Sequence, residues 1–448
     1  MEKSYTKDLT KGSVFKLIIN FSLPVYFGIL FQQFYNIVDT MIVGQTLGVD
    51  ALASVGATGS IMFMILGFCS GICSGFGIPI AQRFGAKNES GLKKAVANSI
   101  WLSIIFSIII TLGVTCLCRN ILNWLNTPEN IIEMSYSYLI IIFWGIPVTI
   151  FYNMFSCIIR SLGDSKTPVY FLVISSLLNI ILDLVFIIVF KMGVAGAAYA
   201  TVISQLVSVI LCAVYMFKKY TILKMMETER KIDLKEIKML LGMGIPMGLQ
   251  YSITAIGSVV LQTSVNGLGS NAVAAMTSGS KISMFFAAPF DALGTTMATF
   301  GGQNVGAKRI DRVSDGMKKG IIIGSIYAVI ACIILCLFGK NLALLFVESN
   351  EIDIIHNISI FLLFNSLFYI FLSLVNIVRF MIQGMGFSTF AIMAGVLEMI
   401  ARAAAGFIFV PRFGFIAACL ASPLAWVLAD IFLIPAFFYV RNKLVQRL

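Results

Sequence analysis

Gln32, Asn36 and Asp39 interrupt a stretch that is otherwise rich in Phe, Ile, Leu and Val, and their i, i+4, i+7 spacing stacks them on one face of a helix. Ser175 or Ser176, Asn179 and Asp183 repeat the pattern in a second apolar run, and Thr201, Ser204, Gln205 and Ser208 form a third polar stripe. A charged side chain at the centre of a bilayer costs at least about 2.5–3.5 kcal/mol, so such stripes turn from lipid toward protein or water. Three of them predict one shared pocket. Two carboxylates, an amide and a hydroxyl offer hard oxygen ligands, which suit Na⁺ or a proton shared between the acids. Asn153 and Ser156, in a neighbouring run, add oxygen atoms to the same expectation. The competing reading is that these residues tie helices together by buried hydrogen bonds. It fits Asn179 and Thr201 better than the aspartates, because an unpaired buried carboxylate is a costly way to join helices.

The runs that carry these residues make up most of the chain. Of its 448 residues, 59% are hydrophobic and 12% charged, against about 25% charged in soluble domains. An ordinary water-soluble fold is excluded, and an all-α integral membrane protein is expected. The apolar runs predict twelve transmembrane helices, at 15–43, 51–82, 94–117, 131–159, 168–190, 193–217, 238–265, 272–300, 317–346, 353–382, 388–410 and 414–440. The first is expected to stay attached, since its apolar stretch continues through Gln32, Gln33, Asn36 and Asp39 without a small-residue cleavage site. Sorting Lys and Arg between alternate loops puts 26 on the side of both termini and four on the other (Arg119, Lys191, Lys340 and Arg412), with Lys281 and Arg402 inside spans. The positive-inside rule then places both termini in the cytoplasm of a multi-pass cell-membrane protein. The basic loops are expected to touch anionic lipid headgroups, and no fold supports nucleic-acid binding.

The nine cysteines lie in or beside apolar runs and read as small hydrophobes, with no disulfide framework or zinc spacing. His356 has no ligand-spaced partner and reads as water-facing or packed.

The longest charged connection, from Phe217 to Lys238, falls near the middle, and the halves on either side resemble each other. GQTLGVDALASVGATGS at 44–60 aligns with VNGLGSNAVAAMTSGS at 265–280, and AQRFGAKN at 81–88 with GGQNVGAKR at 301–309, both at an offset of 221. RSLGDSKTP at 160–168 aligns with QGMGFSTF at 383–390 at 223, and Pro24 with Pro246 at 222. The chain therefore reads as two six-helix copies running in the same membrane direction: an N-terminal lobe at 1–217, a linker at 218–237 and a C-terminal lobe at 238–448. That repeat suits an alternating-access transporter, and a monomer is expected.

SLPVYFGILFQQFYNIVDTMIVGQTLG at 22–48, RSLGDSKTP at 160–168, NIILDLVFI at 179–187 and the GxAGAAxAT run at 193–201 together resemble the multidrug and toxic compound extrusion (MATE) transporters of the MOP flippase superfamily, over essentially the whole chain. The resemblance implies two six-helix lobes around a central cavity and export of organic, often cationic, small molecules in exchange for Na⁺ or H⁺. It implies a coupling-cation site in the N-terminal lobe at Asp39, Asn179, Asp183 and Thr201, with no cofactor beyond that ion and no enzymatic activity. It also implies a hinge at Pro24, where a proline frees a helix carbonyl and permits a bend.

The C-terminal lobe places Arg402, Gly406 and Ser422 opposite Asn179, Asp183 and Thr201, so the cation pocket is not duplicated. Some relatives carry extra acids in the seventh and tenth helices; here Gln250 stands in the seventh and no acid lies between Leu362 and Ile382. Glu398 and Arg402, at i, i+4, are expected to form an internal ion pair. Gln250, Lys281 and Asp291 are candidates for the C-lobe cavity, with Asp430 unassigned. GQNVGAKR at 302–309 lacks phosphate-loop spacing and a preceding strand, so no ATP site is expected. The small residues of GFCSGICSG at 67–75 read as close helix packing. A flippase of lipid-linked saccharides is the alternative substrate class; it predicts an Arg-rich cavity, whereas the spans hold Arg402 and, near one end, Arg379.

Overall fold

Leu, Ile, Val and Phe runs of this length bury their backbone polar groups only by closing every hydrogen bond internally, which a bilayer permits to helices. In the computed structural model, which describes residues 6–125 and 127–447, the runs are helical and the described residues contain no strand. In order they are α1 (Val14–Leu47), α2 (Val49–Gly85), α3 (Glu89–Trp124), α4 (Glu129–Trp144), α5 (Ile146–Ser161), α6 (Thr167–Leu184), α7 (Val194–Lys219), the short α8 (Glu227–Arg230), α9 (Leu234–Asn266), α10 (Ser270–Gly306), α11 (Ile310–Ala343), α12 (Ile352–Leu367), α13 (Tyr369–Gly384), α14 (Thr389–Ala404), the short α15 (Val410–Phe413) and α16 (Phe415–Arg447). Nine helical stretches are long and apolar enough to cross a membrane, and two bent pairs bring the number among the described residues to eleven. The twelfth predicted span is α10, 37 residues long but more polar than the others.

The structure departs from the predicted spans at two breaks. The fourth span bends by 45° between α4 and α5, where Gly145 ends one helix and Pro147 opens the next. Its counterpart bends by 49° between α12 and α13, at Phe368, without a proline. Two further irregularities were not expected: a single π-helical turn at Val185–Val189, directly after α6, and another at Ala405–Phe409, after α14.

The repeat is visible in the backbone. α2 and α10 are both 37 residues long and α5 and α13 both 16. Left-handed residues recur at Gly48 and Gly269, Lys87 and Lys308, Gly163 and Gly386, and Gly193 and Gly414. Two compact units result, one of residues 1–8 and 27–248, the other of 9–26 and 249–448. These bounds differ from the expected 1–217 and 238–448. In both α1 and α9 the division falls two residues after a proline, Pro24 or Pro246, so each helix begins in one unit and continues in the other.

Local contacts account for that division. Within the first unit the 218–237 segment is held against α2 and α3: Arg83 pairs with Glu236 at 2.5 Å, and Asn98 donates to the Lys231 carbonyl and accepts from the Asp233 N–H. The start of α9 meets α2 at Gly244 and Gly75, where a Cβ on Gly75 would come within 2.5 Å of Gly244 Cα; the small-residue run at 67–75 is a packing seam, as expected. Lys7 N–H donates to Leu162 O, and Gly163, at φ +89°, leaves no room for a Cβ beside the Lys7 carbonyl. In the second unit the GGQNVGAKR turn serves the preceding tail. Gln303 Oε1 accepts from Leu9 N–H, while Asn304 Nδ2 and Arg312 Nη2 donate to Leu9 O.

All nine cysteines are free thiols, and His356 is exposed.

Candidate functional site

α1 and α6 bring the two N-terminal aspartates together. Their carboxyl groups lie within hydrogen-bonding range of each other, and Asp183 is fully buried. No donor among the described residues reaches Oδ1 of Asp39 or either oxygen of Asp183. Two bare carboxylates about 4 Å apart repel by about 4 kcal/mol at an effective dielectric of about 20. The pair therefore requires a proton or a cation between the oxygens. Asn179, one helical turn before Asp183 and 1% exposed, has both amide atoms unpartnered, so an oxygen ligand stands ready one turn away. Thr201, on α7 packed against α6, is half-buried, and its carbonyl accepts from Ser204 Oγ. The residues present fit a small hard cation or a proton by the chemistry of the donor set and by these orphaned buried atoms.

The polar stripes divide when their partners are traced. Ser175 Oγ donates to Ser204 O at 2.7 Å and Ser208 Oγ to Phe171 O at 3.0 Å, while Ser176 bonds back to Leu172 O within its own helix. These hydroxyls join helices or saturate their own turns through their protons. Gln205 Oε1 accepts from Thr149 Oγ1, and Asn153 Nδ2 donates to Thr149 O, so these side chains have partners within a group of their own on α5 and α7. Ser156 is buried beside Tyr152 and Cys212. Gln32 and Asn36 are exposed, with Gln32 in hydrogen-bonding contact with Tyr35. Pro24 lies inside an uninterrupted helix.

Two tyrosines absent from the sequence-derived set stand at the acid pair. Tyr35, one turn before Asp39, and the buried Tyr138 of α4 both lie within electrostatic reach of Asp39 and Asp183. Tyr35 was legible from its i, i+4 spacing to Asp39. Tyr138, inside an apolar run on another helix, gave no such signal.

In the second unit the expected Glu398–Arg402 pair is present at 3.3 Å, and Arg379 of α13 joins it through the other carboxylate oxygen. Gln250 is buried and accepts from Gln383 Nε2 at 2.7 Å. Asp291 lies within electrostatic reach of Arg379, and Lys281 is exposed on the same helix, ten residues earlier. Among the described residues no group of three or more His, Cys, Asp or Glu side chains is arranged to hold a metal ion.

The chain is 31% identical over 357 residues to "Probable multidrug resistance protein YoeA" of Bacillus subtilis (strain 168), covering 78% of this chain and 77% of that protein. It is 29% identical over 344 residues to "Probable multidrug resistance protein YpnP" of the same organism, covering 77% of each. Among solved structures, the outward-facing conformation of a multidrug resistance MATE family transporter of the MOP superfamily superposes with a TM-score of 0.91 at 24% identity, covering 98% of each chain. The MatE family model matches twice, at 24–185 and 246–408, starting at the two prolines. Two matched copies spanning most of a multi-pass membrane chain establish that it belongs to the MatE family.

Proposed function

We propose that the protein is a secondary antiporter that exports small organic molecules, cationic or amphiphilic, in exchange for Na⁺ or H⁺ by alternating access. The facing Asp39 and Asp183 carboxyls, without a donor between them, carry this reading. Relatives named as multidrug resistance proteins supply the substrate class. An inward-moving cation occupies the acid pair and removes its repulsion, which stabilises the ion-bound conformation relative to the empty one. Asn179 and Thr201 add oxygen ligands, and Tyr35 and Tyr138 orient the carboxyls. α1 carries the change, articulating beside Pro24. A membrane potential contributes about 2.3 kcal/mol per charge per 100 mV, enough to accumulate substrate against a gradient. The protein acts as a monomer in the cell membrane with both termini cytoplasmic and its basic loops on anionic lipid. It is a transporter and not an enzyme.

The test is transport of rhodamine 123, a cationic dye, by protein in liposomes under Na⁺ and pH gradients imposed separately. One gradient or both drives dye movement, and Asp39→Asn abolishes that coupling in protein that still reaches the membrane. Normal coupled transport by Asp39→Asn overturns the assignment.

A further inference from the structure

The most heavily charged cluster of the chain has no part in this mechanism. In the second unit Glu398 of α14 accepts from Arg379 through Oε1 and from Arg402 through Oε2. All three are at most 6% exposed. The ion pairs satisfy only some of the atoms: Nε of Arg379 and Nη1 of Arg402 have no acceptor among the described residues. Asp430 of α16, also buried, lies within electrostatic reach of Arg379, yet no donor among the described residues reaches either of its oxygens. Asp291 of α10 is also within reach of Arg379 but is exposed. α10 exposes Lys281 as well, so the edge of the cluster along this helix carries exposed charges. The equivalent positions of the first half, at an offset of 223, are Ser156, Ser175 and Asn179, all neutral.

A buried donor or acceptor left open costs about 1–3 kcal/mol, and more when it is charged. The open atoms here are of both kinds. A bound cation or a proton on Asp430 leaves the guanidinium N–H groups unmet, and a bound anion leaves Asp430 unmet. The complement is one ligand that carries both signs. We propose that the second unit holds a recognition site for a zwitterionic organic molecule. Arg379 Nε and Arg402 Nη1 face its carboxylate, and Asp430 and Asp291 face its protonated amine. Glu398 is a positioning residue that holds both guanidiniums by a charge-assisted pair. This rests on the transport reading above and narrows the substrates it admits.

Rhodamine 110 and rhodamine 123 share one amino-substituted cationic ring system and differ in a free carboxylate against its methyl ester. Binding of each to the purified full-length protein is followed by fluorescence polarisation. Arg402→Lys, which keeps a charge for Glu398, is expected to weaken rhodamine 110 at least tenfold while rhodamine 123 stays within twofold, and Asp430→Asn, which removes the partner of the cationic end common to both dyes, is expected to weaken both several-fold. If rhodamine 110 also stays within twofold in both variants, water alone fills the cluster and the inference falls. Parallel weakening of both dyes by Arg402→Lys likewise overturns it, as general damage to the unit. Should rhodamine 110 behave as expected while liposomes move neither dye, the site stands and the transport reading fails.

Discussion

A carboxyl pair and a serine seam differ in what a single atom replacement does to them. Asp183→Asn removes half of the oxygen pair at Asp39 and is expected to abolish ion-coupled dye efflux with little loss of folded protein, because it also removes a repulsion of about 4 kcal/mol. Efflux measured in everted vesicles beside protein yield checks both halves of that statement. Ser175→Ala and Ser208→Ala delete one interhelical hydrogen bond each, and such bonds average about 0.6 kcal/mol in membranes. Coupling should survive both, with a small loss of thermal stability; loss of coupling in either would return these serines to the ion site. Tyr138→Phe keeps the ring and deletes the hydroxyl near the acids, and a few-fold loss of apparent affinity for the coupling ion is expected in the same assay. The aspartates were legible in the sequence because a carboxylate in an apolar run has no innocuous explanation. Tyr138 was not, since tyrosine belongs in such a run, and Arg379 was read as flanking a loop because its partner lies nineteen residues away on the next helix.

Helices and turns fix where those atoms sit, and here the legibility was uneven. Long apolar runs announced the spans, while the breaks inside two of them depended on local geometry that hydropathy does not register. The 160–168 turn shows how a motif acts as a fastening. Asp164 accepts from the N–H groups of Lys166 and Thr167 and from the hydroxyls of Thr167 and Tyr220, so one carboxylate caps α6 and anchors the end of α7. Burial beside that carboxylate pushes the Tyr220 hydroxyl well above its ordinary pKa, which keeps it a donor at any physiological pH. Asp164→Ala should lower thermal stability by about 1–2 kcal/mol, the cost of a lost helix cap. A melting curve unchanged within error would show that the cap contributes nothing. Gly163→Ala acts at the same turn by a different route, adding a Cβ at positive φ against the Lys7 carbonyl, and should destabilise by about 1–2 kcal/mol from the left-handed backbone alone.

At the scale of the whole chain, 26 basic residues on one side against four on the other predict that both ends face the cytoplasm. A fluorescent-protein fusion at the C-terminus should therefore glow, and an alkaline phosphatase fusion at the same point should be inactive; the reverse pair of results would invert the topology. The repeat was readable from four short alignments, yet the boundary between the compact units was not. It depends on which unit the opening turns of α1 and α9 pack with, a tertiary choice made two residues past each proline. The π-helical turns at Val185–Val189 and Ala405–Phe409 follow α6 and α14 in the two halves, although Asp183 lies just before the first and its counterpart, the neutral Gly406, lies within the second. The irregularity is shared by both copies, whereas the charges beside it are not. One backbone scaffold thus serves two chemistries: the same bent helix end carries an acid pair in one half and an arginine-rich cluster in the other.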